Sequence, residues 1–282
     1  MPNQSEQHIY CPYTDKDIPK ILTSKEHIIP LSLGGDSRFA LPVDESYNKA
    51  VGSKIDGQLA NDFLMLLKRR DYNAMGHTKK DPKPIIKNAT DVKTGRPIQV
   101  VMGKQLQIFD AIDRREVPIS GQQINLKIKM NIDLPTRFIA KVFLAAGFLV
   151  YGDLFRNSVA HHEARLMLQD PQELPKDKIM SVGTRVFTPF QGELEQEQQL
   201  EYNTQRLVCE KVKGCCVVFC LSPSSLCMYC GVLGTYLGML NVPADTSNFP
   251  RFDEHDMGHA IIISNSNVLR WSHRRLLQRI FQ

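Results

Sequence analysis

The chain predicts an α+β fold, and three stretches carry that prediction. Residues 20–56, KILTSKEHIIPLSLGGDSRFALPVDESYNKAVGSKID, read as two short strands joined by a glycine-containing turn and followed by a helix. Leu134-Pro135-Thr136 and the run RFIAKVFLAAGFLVYG read as a long apolar helix, with Pro135 tolerated in the first turn. Between Gly214 and Ser264 several apolar runs of strand length read as a compact antiparallel sheet. The chain divides into a strand–strand–helix module over 1–70, a middle region over 71–170 and a C-terminal region over 171–282.

Taken in order, Lys25–Ile29 is a strand, Leu31–Asp36 a turn containing Gly34 and Gly35, and Arg38–Val43 the returning strand. Asp44 is placed to cap a short helix that Gly52 stops after Val51. Ser53 and Asp56 have the spacing of a capping box that opens a second helix. Ile55, Leu59, Phe63, Leu66 and Leu67 continue its apolar stripe as far as Lys68-Arg69-Arg70. The segment from Tyr72 to Arg96 is rich in Lys, Pro, Gly and Asn and reads as a loop, either a solvated connector or a track for phosphates.

Pro97–Val101, Leu106–Phe109 and the alternating Ile124–Ile132 are expected strands. Asp153–Gln169 is expected to be one helix, in which His161, His162 and Glu163 diverge too far around the axis to share a metal. Residues 171–200 are polar and mark a boundary. Arg206–Val212, Gly214–Leu221, Cys227–Leu233, Thr235–Val242 and Ala260–Ser264 are expected strands, and Asn267–Gln282 an amphipathic helix.

Composition sets the class. Apolar residues make up 42% and charged residues 23%, which excludes wholesale disorder. The net charge of +5 leans towards polyanionic partners. Phe138–Tyr151 is short and broken by Lys141, so no membrane span is expected. Six of the seven cysteines lie between Cys209 and Cys230. Their odd count and the polar start MPNQSEQ predict reduced thiols in a cytoplasmic protein. Cys227 and Cys230, with Cys215 or Cys220, have a zinc-like spacing, but an apolar strand is the simpler setting for them. The Asp253–Asp256 loop with His259 reads as a solvated acidic loop rather than a metal site.

The chemistry is concentrated in Glu26-His27-Ile28-Ile29-Pro30, Gly34-Gly35 and Asn48. An imidazole titrating near neutrality can deprotonate a water. A carboxylate and an amide oxygen are hard donors of the kind Mg²⁺ takes, few at a time. This constellation resembles the HNH endonucleases, the ββα-metal nucleases, over roughly residues 11–62. The resemblance implies that His27 is the general base, that Glu26 and Asn48 are metal ligands, and that the cofactor is Mg²⁺ or Mn²⁺. Many members hold the motif with two Cys-x-x-Cys pairs around zinc. Here only Cys11 remains, so no structural zinc is expected. The middle asparagine of the family's name is also missing, with Arg38 and Phe39 nearby.

The implied function is hydrolysis of DNA phosphodiester bonds, by nicking in a monomer or by cutting both strands in a dimer. Such nucleases occur in restriction and anti-phage defence, in mobile elements and in phages. Bacterial defence is the preferred setting, with other defence proteins as further partners. A catalytically inert nucleic-acid-binding module of the same shape is the alternative. Two basic surfaces are the expected DNA contacts. One is Lys68, Arg69 and Arg70 with Lys79, Lys80, Lys83 and Lys87, and the other is Arg270, Arg274, Arg275 and Arg279.

Overall fold

A computed structural model describes residues 7–76, 79, 81–103, 105–118, 123–128, 131–169, 184–189, 193–253, 256–264 and 267–282. The fold mixes helices with antiparallel sheets, as an α+β chain should. Two hairpins open it. Strands β1 (His8–Cys11) and β2 (Lys16–Pro19) pair, then β3 (Thr23–His27) pairs with β4 (Ala40–Asp44). A 3₁₀ turn over Leu31–Leu33 and the left-handed Gly34 carry the chain between β3 and β4. Gly35 must be glycine, because a Cβ there would fall 1.7 Å from the carbonyl oxygen of Ile29.

The helix after β4 begins as the sequence predicts and ends differently. The Asp44 carboxylate accepts from the Tyr47 amide at 2.9 Å, capping α1 (Glu45–Tyr47). Gly52 does not stop the helix. The chain passes through a wide π turn over Asn48–Gly52 and runs on into α2 (Ser53–Ala60). Gly52 is needed for space, since a Cβ there would lie 2.5 Å from Asn48 Oδ1. The Ser53–Asp56 capping box does not form, because the chain is already helical through Gly52 when α2 begins and Asp56 faces the interior. Asp62 then breaks the helix and caps α3 (Phe63–Asp71) through the Leu64 amide at 3.0 Å.

A five-stranded sheet follows in the order β8-β7-β6-β5-β9. Its strands are β5 (Ile85–Asp91), β6 (Pro97–Met102), β7 (Leu106–Asp110), β8 (Glu116–Val117) and β9 (Ile124–Leu126). Strand β5 lies inside the segment read as a loop. Ile86, Ala89 and Asp91 turn inwards while Lys87 and Asn88 face water, an alternation masked by a bulge and by small or polar inward residues. The long strand expected over Ile124–Ile132 is confined to β9, and Lys129 and Met130 lie outside the described residues.

The middle of the molecule is α4 (Asp133–Tyr151), apolar on nearly every side and buried along most of its length. It is a core helix. Its Arg137 donates to the Leu168 carbonyl from Nη2 at 3.0 Å. The helix expected over Asp153–Gln169 splits into α5 (Asp153–Ser158) and α6 (His162–Leu166), because Val159 bridges to Ala244.

The C-terminal sheet has six strands in the order β10-β13-β12-β11-β14-β15. They are β10 (Arg185–Phe187), β11 (Cys215–Ser222), β12 (Ser225–Val232), β13 (Thr235–Pro243), β14 (His259–Ser264) and β15 (Asn267–Ser272). Arg206–Val212 is not a strand but the end of α7 (Gln196–Val212). A capping box between Glu195 and Gln198 starts that helix, and Gln205, Val208 and Cys209 form its buried face. The expected tail helix is likewise half strand: β15 runs to Ser272, whose hydroxyl caps α8 (His273–Phe281) through the Arg275 amide. Most of the polar boundary, residues 170–183 and 190–192, lies outside the described residues.

Alternation within the strands sorts this sheet into two faces. Cys215, Val217 and Phe219 share a core cluster with α4 and the N-terminal hairpins, whereas Cys216 and Val218 pack with α7 and α8. The first cluster takes residues from Cys11 to Ile263 and so draws on all three regions read from the sequence.

One expected DNA contact is spent inside the fold. Arg69 is buried and donates from Nη1 to the Ala60 carbonyl at 2.7 Å, with Nε 3.2 Å from the Ala74 carbonyl. It closes the end of α2 and is turned away from any phosphate. Arg69→Ala should therefore cost about 1–3 kcal/mol of stability, the range for a buried carbonyl left unpaired. Urea denaturation checks this.

Candidate active site

Strand β3 presents alternate residues to opposite sides. Glu26 lies opposite Leu41 of β4, and His27 opposite Ala40. Ser24 and Glu26 share one face, and there Asn48 donates to Ser24 Oγ at 3.2 Å. The structure thus brings Glu26 and Asn48 to the same side of the hairpin, both almost fully buried. His27 faces the other side and is half-buried. The Asp36 carboxyl is held at about 2, chiefly by the Arg38 hydrogen bond.

What meets Glu26 is a lysine. Lys141 of α4 is 1% exposed and its ammonium makes an ion pair with Glu26 Oε1. The same ammonium lies 2.9 Å from Asp56 Oδ1 and 3.0 Å from Asp56 Oδ2, and the Tyr13 hydroxyl donates to Glu26 Oε1 at 3.3 Å. The Lys141 side chain runs beside Gly52: a Cβ on Gly52 would be 3.7 Å from Lys141 Cε and 2.5 Å from Asn48 Oδ1. Glu26, Asn48, Asp56, Tyr13 and Lys141 therefore form one buried polar cluster, fed by β3, the wide turn, α2 and α4.

The electrostatics follow from two carboxylates around one cation. Burial pushes the Asp56 carboxyl up to about 6, against the pull of Lys141 and with a further push from Glu26. Burial alone would lower the Lys141 ammonium, but the two carboxylates outweigh it and raise it above its ordinary value. Tyr13 is raised well above the ordinary phenol by burial, then by Glu26 and Asp56.

The donor set agrees in kind with a hard divalent cation. Asn48 Oδ1 is buried without a hydrogen-bond partner, which is costly unless something is to be bound there. The wide turn that presents it is a feature found at functional sites. Glu26 supplies a carboxylate on the same side of the hairpin. Lys141 is the complication, since its ammonium already neutralises that carboxylate. Among the described residues, no group of three or more His, Cys, Asp or Glu could hold a metal. A site here would rest on Glu26 and Asn48 with water, as Mg²⁺ allows.

Of the three residues that the sequence suggests should face a common point, the structure brings Glu26 and Asn48 together and turns His27 to the other side, and it adds Lys141, Asp56 and Tyr13. The only signal for Lys141 was a lone charge in an apolar helix. Asp56 looked like half of a capping box, and nothing marked Tyr13.

The expected DNA contacts separate into two places. Lys68, Arg70, Lys79, Lys83 and Lys87 are exposed, and Arg70 also pairs with Asp71 at 3.2 Å. Lys80 lies outside the described residues. A cleft of about 620 Å³ is lined by Arg70, Asn73, Asp81, Lys83, Gln105 and Gln107. Gly76 packs on Ser32 of the hairpin turn, where an added Cβ would come within 2.9 Å, so this basic segment adjoins the candidate site. Arg270, Arg274, Arg275 and Arg279 are also exposed, but α8 covers the opposite face of the six-stranded sheet. Asp256, in the acidic loop, accepts from the Phe252 and Gly258 amides, and His259 Nδ1 lies 3.1 Å from the Tyr151 hydroxyl. Each has a structural use; Glu254 and His255 lie outside the described residues.

Comparison of the chain with protein families, with curated proteins and with solved structures returned no match.

The cluster predicts a pH dependence. Asp56 is raised when folded, so the folded state prefers its neutral form. Its contribution is fully present below the unfolded value near 3.8 and is lost as pH rises through about 6. The loss amounts to roughly 3 kcal/mol at most, at about 1.36 kcal/mol per pK unit. Urea denaturation between pH 4 and pH 7 should show this fall in the native chain and a flatter profile in Asp56→Asn. Lys141→Met leaves Glu26 and Asp56 buried without a counter-ion and should cost roughly 3–5 kcal/mol at pH 7. The cost should shrink towards pH 4, where Asp56 takes up its proton.

Proposed function

We propose that this chain is a metal-dependent DNA endonuclease of the HNH type, with its hydrolytic centre at His27, Glu26 and Asn48. The observation that carries the reading is the unpartnered Asn48 Oδ1, presented by a wide helical turn on the same side of the hairpin as the Glu26 carboxylate. Mg²⁺ or Mn²⁺ held by these oxygens would neutralise charge on the scissile phosphate. His27 stands at the end of the same strand with its side chain on the accessible face, where it would accept the proton of an attacking water. Glu26 orients from below, and Tyr13 holds it there by a hydrogen bond. DNA would lie along Lys68, Arg70, Lys79, Lys83 and Lys87, which adjoin the hairpin turn through Gly76 and Ser32. A cytoplasmic setting and a role in bacterial defence belong to the same proposal.

A second reading has its own observation. The Lys141 ammonium pairs with Glu26 in the space a cation would neutralise, so the module would bind nucleic acid without cutting it. Relaxation of supercoiled plasmid separates the two. With Mg²⁺ or Mn²⁺ the native chain should nick, EDTA should stop it, and His27→Ala should lose roughly 10²–10⁴ in rate, as expected on removing a general base. An inactive native chain that still binds DNA would favour the second reading.

Binding gives a further expected outcome. In a His27→Ala background, Lys83→Ala/Lys87→Ala should lower the slope of log affinity against log salt by about 0.9 for each phosphate no longer neutralised. Arg274→Ala/Arg275→Ala, on the far face of the sheet, should change it less for a short duplex. Fluorescence anisotropy across a salt series measures both.

A further inference from the structure

A second reactive cluster lies on the far side of the six-stranded sheet, away from Glu26 and His27. Cys220 of β11 and Cys227 of β12 stand directly opposite each other in antiparallel register. Both point towards α7 and α8, and both are only partly buried, whereas the other five cysteines are fully buried. His273, the first residue of α8, is 6% exposed and places Nδ1 3.5 Å from Cys220 Sγ. Its other nitrogen, Nε2, lies 3.4 Å from the Tyr229 hydroxyl, which orients the ring. The residues that face this cluster with charge are Glu201 from α7 and Asp256 from the loop before β14.

This is more than a buried cysteine beside a histidine. Directly opposed residues on antiparallel strands have Cα atoms about 4.5–5.5 Å apart, inside the roughly 4.4–6.8 Å range that a disulfide spans. The two thiols are also unequal. The hydrogen bond from Cys227, then His273, lowers Cys220, while the same contact and burial push Cys227 well up. His273 is itself raised, the Cys220 contact outweighing burial. Cys220 is thus the more acidic sulfur and Cys227 the neighbouring thiol that can resolve it. Among the described residues, no three-ligand metal group includes these side chains.

We propose that Cys220 is a hydroperoxide-reactive cysteine that Cys227 resolves into a reversible cross-strand disulfide. The Cys220 sulfur attacks one oxygen of the hydroperoxide, an S–O bond forms, and the O–O bond breaks. The leaving alkoxide, or hydroxide from hydrogen peroxide, takes a proton from the His273 imidazolium. The Cys227 thiol gives its proton to the same imidazole, and its sulfur attacks the Cys220 sulfenic acid. An S–S bond forms, and the displaced hydroxide leaves as water with that proton. In sum two thiols and one hydroperoxide give one disulfide, one alcohol or water, and one water. The sulfurs lose two electrons and the peroxide gains them. A dithiol reductant reverses the step.

The test uses the full reduced chain. After brief exposure to hydrogen peroxide, free thiols are blocked and peptides analysed by mass spectrometry. A linked Cys220–Cys227 peptide, lost on treatment with dithiothreitol, is expected. In Cys227→Ser, Cys220 should instead be trapped as a sulfenic acid that dimedone labels. Alkylation of Cys220 by iodoacetamide should stay nearly level between pH 6 and pH 8 in the native chain. In His273→Gln, which leaves the Cys227 contact in place, reactivity should fall off towards pH 6, part of the way to the profile of an ordinary thiol near 8.5. The native-chain measurements stand even if a variant does not fold. No Cys220–Cys227 linkage, linkage of other cysteines in its place, or a native alkylation profile that falls like that of an ordinary thiol would overturn the proposal. None of these readouts depends on cleavage of DNA.

Discussion

The buried ammonium of Lys141 is the interaction on which the N-terminal half depends. It reaches from the central helix to Glu26 on the hairpin and to Asp56 on the helix that follows it. An ion in such a place is tolerable only when its charge and donors are matched. That condition ties strand, helix and core into one register. Hydrophobic packing beneath Ile28, Ile29, Val43 and Ile55 supplies the bulk of the attraction, but it has no strong preference for one rotation of the helix over another. The ion cluster does.

The same cluster shapes what the hairpin can do. Because β3 alternates, drawing Glu26 inwards towards Lys141 turns His27 outwards. The hairpin thus carries an imidazole towards the surface and a carboxylate beneath it. The wide turn sets Asn48 on the acid's side and leaves its oxygen unpaired. Glu26 on that side is already paired with the Lys141 ammonium.

The C-terminal sheet serves two purposes by having two faces. One buries α4 and the hairpins; the other carries Cys220, Cys227 and the basic α8. The arginines of α8 and the lysines beyond α3 therefore belong to different sides of the molecule, although both contribute to one net charge. A charge count along the chain has no means of recording that separation.

The sequence by itself determined the local elements. EHIIP, the paired glycines and Asp44 specify a hairpin and a capped helix, because turn geometry and capping depend on neighbouring residues only. The apolar run after Pro135 specifies a core helix for the same kind of reason. Elements with mixed signals did not show. Strand β5 was hidden by a bulge and by lysines on its wet face, and α7 by a short stretch that could also alternate as a strand. Only the tertiary structure decided that Gly52 continues a helix, that Arg69 closes one, and that Asp56 faces a lysine 85 residues away. Those outcomes depend on which distant groups share a low-dielectric space, where an unpaired charge or carbonyl costs more than any local preference returns.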